Sequence, residues 1–190
     1  VTTLAGSGVD GFADGFGTAA QFNEPYGVDL DSEGNVFVAD TENHRIRKIS
    51  PDGTVTTLAG SGVAGFVDGI GTTAKFNFPY GVAVDNAGNV YVADTENNRI
   101  RKVSPDGTVT TLAGSGVAGW ADGFGTSAKF NWPGDVAVDS AGTVYVADGG
   151  NNRIRKISPS GEVSTIVATV IDQSGGSQTT DIFSTPVGIA

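Results

Sequence analysis

Three stretches gather most of the charge that could be put to chemical use: DTENHRIRKI at 40–49, DTENNRIRKV at 94–103 and DGGNNRIRKI at 148–157. Each sets an aspartate five residues before an arginine: Asp40 and Arg45, Asp94 and Arg99, Asp148 and Arg153. An acid and a base at that spacing, with Asn43 or its equivalent between them, can form an ion pair or side-chain-to-backbone hydrogen bonds that brace a corner. The arrangement occurs in all three stretches, which argues for architecture, since catalysis needs one copy to differ. Asp14, Asp68 and Asp122, each in a D-G-x-G-T pattern, read as turn caps of the Asx type. The stretch DLDSEGN at 29–35 has the outline of a calcium loop. It lacks the roughly twelve-residue spacing and the closing bidentate glutamate, so it reads as a hairpin turn. His44 is the only histidine and there is no cysteine, so a zinc site lacks its usual ligands, and a Ser–His–Asp reading built on His44 would be assembled from parts with no pattern behind it. No metal, cofactor or catalytic group is expected from this inventory.

What differs between the copies is more informative. Position 24 is Glu24, then Phe78, then Trp132; position 26 is Tyr26, then Tyr80, then Gly134. Position 27 is Gly27, then Gly81, then Asp135, and the corner TENH becomes TENN and then GGNN. Aromatic groups with sparse polar neighbours suit a sugar or an extended peptide. Glu24, Tyr26, His44, Phe78, Tyr80, Trp132 and Asp135 are therefore the candidate ligand-binding residues. The competing reading is drift after duplication, with the aromatics packed between repeats.

These positions must be held by a repeating element. VTTLAGSG begins at Val1, Val55 and Val109, a spacing of 54, and residues 1–54 and 55–108 agree at 41 of 54 positions. Each unit reads as four short strands: GVDLD (27–31), NVFVAD (35–40), RIRKIS (45–50) and TVTTLAG (54–60). The second is a nearly continuous apolar run, as a strand buried on both faces should be. The third carries charge and is expected further from the core. SEGN, TENH and PDG supply the turns. Four antiparallel strands per repeat predict an all-β fold, a β-propeller, with a β-solenoid as the alternative. In such a blade the lead-in to the first strand and the turn between the second and third lie at one end, so the variable positions share one face near the channel mouth.

The segment FPYGVAVDNAGNVYVADTENNRIRKVSPDGTVTTLAG (78–114) resembles an NHL repeat. It has the proline–glycine lead-in, the D…GN turn, V-Y-V-A-D, the Asn-x-Arg-Ile corner and the DG turn. The eponymous Asn-His-Leu becomes Asn43-His44-Arg45, Asn97-Asn98-Arg99 and Asn151-Asn152-Arg153. The resemblance covers residues 1–168 and implies a propeller, usually six-bladed, that serves mainly as an interaction platform. It implies no single activity. Lyases of the family need several zinc-binding histidines, and gluconolactonase-type propellers gather Glu, Asn and Asp around a divalent ion; no comparable unique cluster is visible here.

The boundaries expected are an outer strand at 1–5, blades at 25–59, 79–113 and 133–168, and the start of a further blade at 183–190. In that last segment Pro186 falls one residue short of register with Pro133. Three arrangements stay open: a longer protein that closes its own ring, two copies that share a six-bladed ring, and an open polymer joined through bare strand edges. A net charge of −10 repels phosphate backbones, so neither nucleic acid nor an anionic membrane is an expected partner. The RIRK segments sit amid 21 acidic residues and do not change that. No apolar run is long enough to span a bilayer, and no leader is visible at Val1. Without methionine, the sequence reads as a mature product or a piece of something longer. The expectation is a non-enzymatic scaffold for a protein, peptide or glycan, extracellular or in the cell envelope. The alternatives are a structural polymer and a segment of a metal-dependent propeller hydrolase or lyase.

Overall fold

The computed structural model describes residues 1–166, 168–171 and 177–180. Runs rich in Val, Ile, Thr and aromatics form strands because their side chains fit a pleated, half-buried surface. The first blade contains β1 (Gly15–Phe16), β2 (Pro25–Leu30), β3 (Val36–Asp40), β4 (Arg45–Ile49) and β5 (Thr54–Ala59). The second contains β6 (Gly69–Ile70), β7 (Pro79–Val84), β8 (Val90–Asp94), β9 (Arg99–Val103) and β10 (Thr108–Ala113). The third contains β11 (Gly123–Phe124), β12 (Pro133–Val138), β13 (Val144–Asp148), β14 (Arg153–Ile157) and β15 (Glu162–Ile166). A separate hairpin pairs β16 (Ala168–Ile171) with β17 (Ser177–Thr180). The fold is all-β: three antiparallel sheets ordered β1-β5-β4-β3-β2, β6-β10-β9-β8-β7 and β11-β15-β14-β13-β12. Among the described residues no helix is long and apolar enough to cross a membrane.

Each blade therefore has five strands where four were expected. The fifth is two residues long and belongs to the Gly-rich connection. The chain leaves the outer strand of one blade, touches the outer edge of the next, then runs to its innermost strand. Val1–Ala5, expected as an outer strand, forms none. The equivalent segments β5 and β10 pair against the RIRK strands β4 and β9 of their own blades. The expected further blade at 183–190 lies outside the described residues.

The turns follow local chemistry. Asp31 Oδ1 accepts the N–H groups of Glu33 and Asn35, and Gly34 sits at φ 83 to close the hairpin. At the other end Thr41–Asn43 is a single 3-10 turn that leaves His44 in the left-handed region at φ 50.

The core lies in the seams between blades. Phe37, Ala39 and Ile46 of the first blade pack with Phe76, Val82 and Val92 of the second. Tyr91, Ala93 and Ile100 of the second pack with Phe130, Val136 and Val146 of the third. Each Val, Ile or Phe among them contributes about 1.5–3 kcal/mol when fully buried. Two further devices draw the seams tight. Thr41 Oγ1 donates to the Pro79 carbonyl at 2.7 Å, and Thr95 Oγ1 to the Pro133 carbonyl at 2.7 Å. Gly27 and Gly81 allow the innermost strands to meet: a Cβ on Gly27 would lie 2.5 Å from the Tyr80 oxygen, and one on Gly81 2.5 Å from the Asp135 Cα. On the far side of the first blade no such partner is present among the described residues. Val28 and Leu30 are 63% and 65% exposed there, against 5% for the equivalent Val82.

The charged third strand is not remote from the core. Ile46, Arg47 and Ile49 are all buried, as are their equivalents in the second and third blades.

Candidate functional site

The site is built from the lead-in to each innermost strand. Glu24, Phe78 and Trp132, each just before a proline, occupy the left-handed region at φ 45, 50 and 50. Such a backbone costs on the order of 1–3 kcal/mol and persists only where neighbours enforce it. Here the preceding blade enforces it at two of the three positions. The Phe78 N–H donates to His44 Nδ1 at 3.2 Å, and the Trp132 N–H to Asn98 Oδ1 at 2.9 Å. One residue earlier, Asn23, Asn77 and Asn131 each donate a backbone N–H to Asp40, Asp94 and Asp148 of their own blade at 2.8 Å. At Phe78 and Trp132 the backbone is thus fixed on both sides; the side chains of Glu24 and Trp132 are exposed and that of Phe78 is half-buried.

The candidate ligand-binding residues come together in pairs across the seams. The Tyr26 and Tyr80 rings lie 4.5 Å apart between centroids, tilted by 49°. His44 meets Phe78 edge-on at 4.8 Å and 81°. Trp132 stands one blade further round and is 59% exposed. Glu24 is exposed beside Pro25. Asp135 lies nearer the axis; its Oδ1 accepts the Val136 N–H at 2.9 Å, and Gly81 packs against its Cα. A recess of about 390 Å³ opens there between Val28, Asp29, Val82, Asp135 and Val136. Burial raises the Tyr80 phenol, and Tyr26, Glu24, Glu42 and Glu96 push it the same way. Burial also holds His44 below the usual imidazole range; Arg45 adds to this and Glu42 opposes it. Among the described residues no group of three or more His, Asp or Glu converges as it would around a metal ion.

Beneath this rim the corner is braced by side-chain-to-backbone hydrogen bonds, with Asn43 on Asp40, and not by an ion pair between the two residues that flank the turn. Asp40, Asp94 and Asp148 do not pair with Arg45, Arg99 and Arg153. Their ion pairs run to Arg47, Arg101 and Arg155 at 2.6, 2.8 and 2.8 Å. The two arginines of each R-I-R share one face of the strand. The one nearer the rim spends its guanidinium on carbonyls: Arg45 donates to those of Asn43 and Ser61, and Arg99 to those of Asn97 and Ser115. The deeper one, fully buried, reaches the carboxylate. It also binds Asp14, Asp68 or Asp122 at 2.7, 2.5 and 2.8 Å. Those aspartates are thus ties, not Asx caps: Asp14 also accepts from the N–H and Oγ1 of Thr57.

Burial pushes Asp94 and Asp148 up, while Arg101 and Arg155 pull down. Asp40 accepts from the Asn23 N–H, Asn43 Nδ2 and Arg47 Nη1. Arg47, Arg101 and Arg155, with Thr41 and Thr95, went unnoticed in the sequence. The signal was available in R-I-R, which is identical in all three copies although its position was read as peripheral.

Three blades joined by like seams make the molecule an arc of a β-propeller. Its repeat is the NHL repeat, which matches residues 22–49, 76–103 and 130–157, and the chain belongs to the NHL-repeat propellers. It is 32% identical over 147 residues to Protein SUPPRESSOR OF QUENCHING 1, chloroplastic, of Arabidopsis thaliana, covering 72% of this chain and 14% of that protein. It is 32% identical over 141 residues to human (Homo sapiens) NHL repeat-containing protein 3, covering 69% and 38%. Among solved structures, an auxiliary nutrient binding protein from Bacteroides thetaiotaomicron superposes with a TM-score of 0.63 at 26% identity, covering 73% of this chain and 36% of that one. The chain thus spans well under half the length of these relatives.

Proposed function

We propose that the chain is a non-enzymatic scaffold that binds a protein, peptide or carbohydrate at the rim formed by Tyr26, Phe78, Tyr80 and Trp132. One observation carries the reading. Trp132 is held at φ 50 by a hydrogen bond from its N–H to Asn98, yet its indole is mostly exposed. A strained backbone that displays a large aromatic to solvent does little for packing and much for contact. The likeness to a nutrient binding protein supports the same reading. An extracellular or cell-envelope location belongs to this proposal, in keeping with an acidic, turn-rich, cysteine-free chain.

The test is capture on glycan and peptide libraries, with Trp132→Ala as the comparison. The expected result is a discrete ligand class, with affinity lowered at least about tenfold in the variant and stability unchanged within about 0.5 kcal/mol. A large loss of stability with unchanged binding would make Trp132 a packing residue and end the proposal.

Self-association is a second mode, favoured by the exposed Tyr26, Val28 and Leu30 face of β2. Light scattering over a range of concentrations checks it: a mass that grows with concentration supports it, and a constant 19.2 kDa species contradicts it.

A further inference from the structure

We propose that His44 is a proton-operated latch on the rim: neutral, it clamps Phe78 in its displayed position, and protonated, it releases it. The inference rests on the reading of the rim as a binding surface and concerns how that surface is regulated.

The geometry assigns the protonation state. His44 Nδ1 accepts the Phe78 N–H at 3.2 Å, so the ring proton must sit on Nε2. A protonated imidazole has donors only. Its Nδ1–H would then face the Phe78 N–H, and the hydrogen bond would become a repulsion. The next seam has the same contact made by a group that does not titrate: Asn98 Oδ1 accepts the Trp132 N–H at 2.9 Å. Asn152 stands at the third equivalent position. Acid therefore acts on one position of three. Phe78 holds φ 50 with its own N–H clamped by His44; loss of that bond leaves its neighbours anchored, Asn77 through Asp94 and Glu96 and Pro79 through Thr41. The blade stays anchored while the displayed residue is freed.

The charged groups around the ring set the range. Glu42, in the turn before it, favours the charged ring; Arg45, after it, opposes it. The second-blade segment facing the ring carries the neutral Asn77, Phe78 and Pro79, with Glu96 beyond, its N–H bonded to the Asn77 carbonyl. On the connection, Gly60 packs against the His44 carbonyl. Burial outweighs Glu42, so the latch opens below the ordinary imidazole value of 6.5.

The experiment measures amide exchange at Phe78 and Trp132 in the labelled chain, with the imidazole signals followed in parallel, at about pH 8 and about pH 5. On acidification Phe78 should lose at least about tenfold of protection relative to Trp132, the equivalent of one lost hydrogen bond. His44→Asn, which copies the neighbouring seam, should abolish the difference. The proposal falls if Phe78 and Trp132 respond alike while His44 titrates, or if His44 titrates only with global unfolding. Library binding at about pH 8, with the latch closed, tests the rim separately. A failure there removes the ligand reading and leaves the exchange result standing.

Discussion

Arg47, Arg101 and Arg155 are the largest fully buried side chains among the described residues, and each donates from both terminal guanidinium nitrogens while its Nε has no partner. Arg101 donates to Asp94, Asp68 and the carbonyls of Lys75 and Val67. It also lies within 4.8 and 5.2 Å of the Phe66 and Phe76 ring centres. Arg101→Met would leave Asp94 buried without its cation, at a cost of about 3–5 kcal/mol measurable by urea unfolding. Arg101→Lys should recover little, because a single ammonium cannot replace the planar fork of donors. At the same scale, His44 titration has a definite sign. Its lowered folded value means that stability from the latch is complete above 6.5 and is lost as pH falls through the folded value. A melting profile of His44→Asn should lack that decline. The corner aspartates were legible in the sequence, but their true partners were not. Arg45 and Arg47 lie on one strand face, and only the incoming connection, with Phe12 over both and Phe22 against Arg47, decides which is sealed from water.

Elements show the same division. Strands β2 to β5 could be read from apolar runs and turn residues, because those signals are local. The two-residue β1, β6 and β11 could not, because no periodicity fits in two residues and their partners lie about forty positions away. The glycines of the innermost strands were visible, but the seam that requires them was not. Gly81→Ala places a methyl against the Asp135 backbone and should cost about 1–3 kcal/mol by chemical denaturation, as overpacking does. Thr95→Val removes the Oγ1 bond to Pro133 but keeps the shape of the side chain; about 1 kcal/mol is expected.

For the whole molecule, nearest-neighbour seams dictate where stability resides. The middle blade has a partner on each side, and every residue of β8 is buried. Among the described residues the inner strand of the first blade has one, and β2 is exposed or half-buried throughout. Hydrogen exchange should accordingly be slowest in β8 and β9 and fastest, among the longer strands, in β2. Uniform protection across the three blades would contradict a stability that sums over seams. The repeat period and the propeller class were legible because 54-residue self-similarity is a whole-chain signal.

The clamped backbone at positions 24, 78 and 132 has a consequence for inheritance. At positions 78 and 132 the fold asks only for a main-chain N–H and is indifferent to the letter that carries it. Duplication of the unit thus copies a socket at fixed spacing, and mutation can refill each socket without disturbing its neighbours. Glu24, Phe78 and Trp132 are three fillings of one socket, beside stretches of scaffold that have scarcely changed. In such a chain new specificity arises by spelling rather than by refolding.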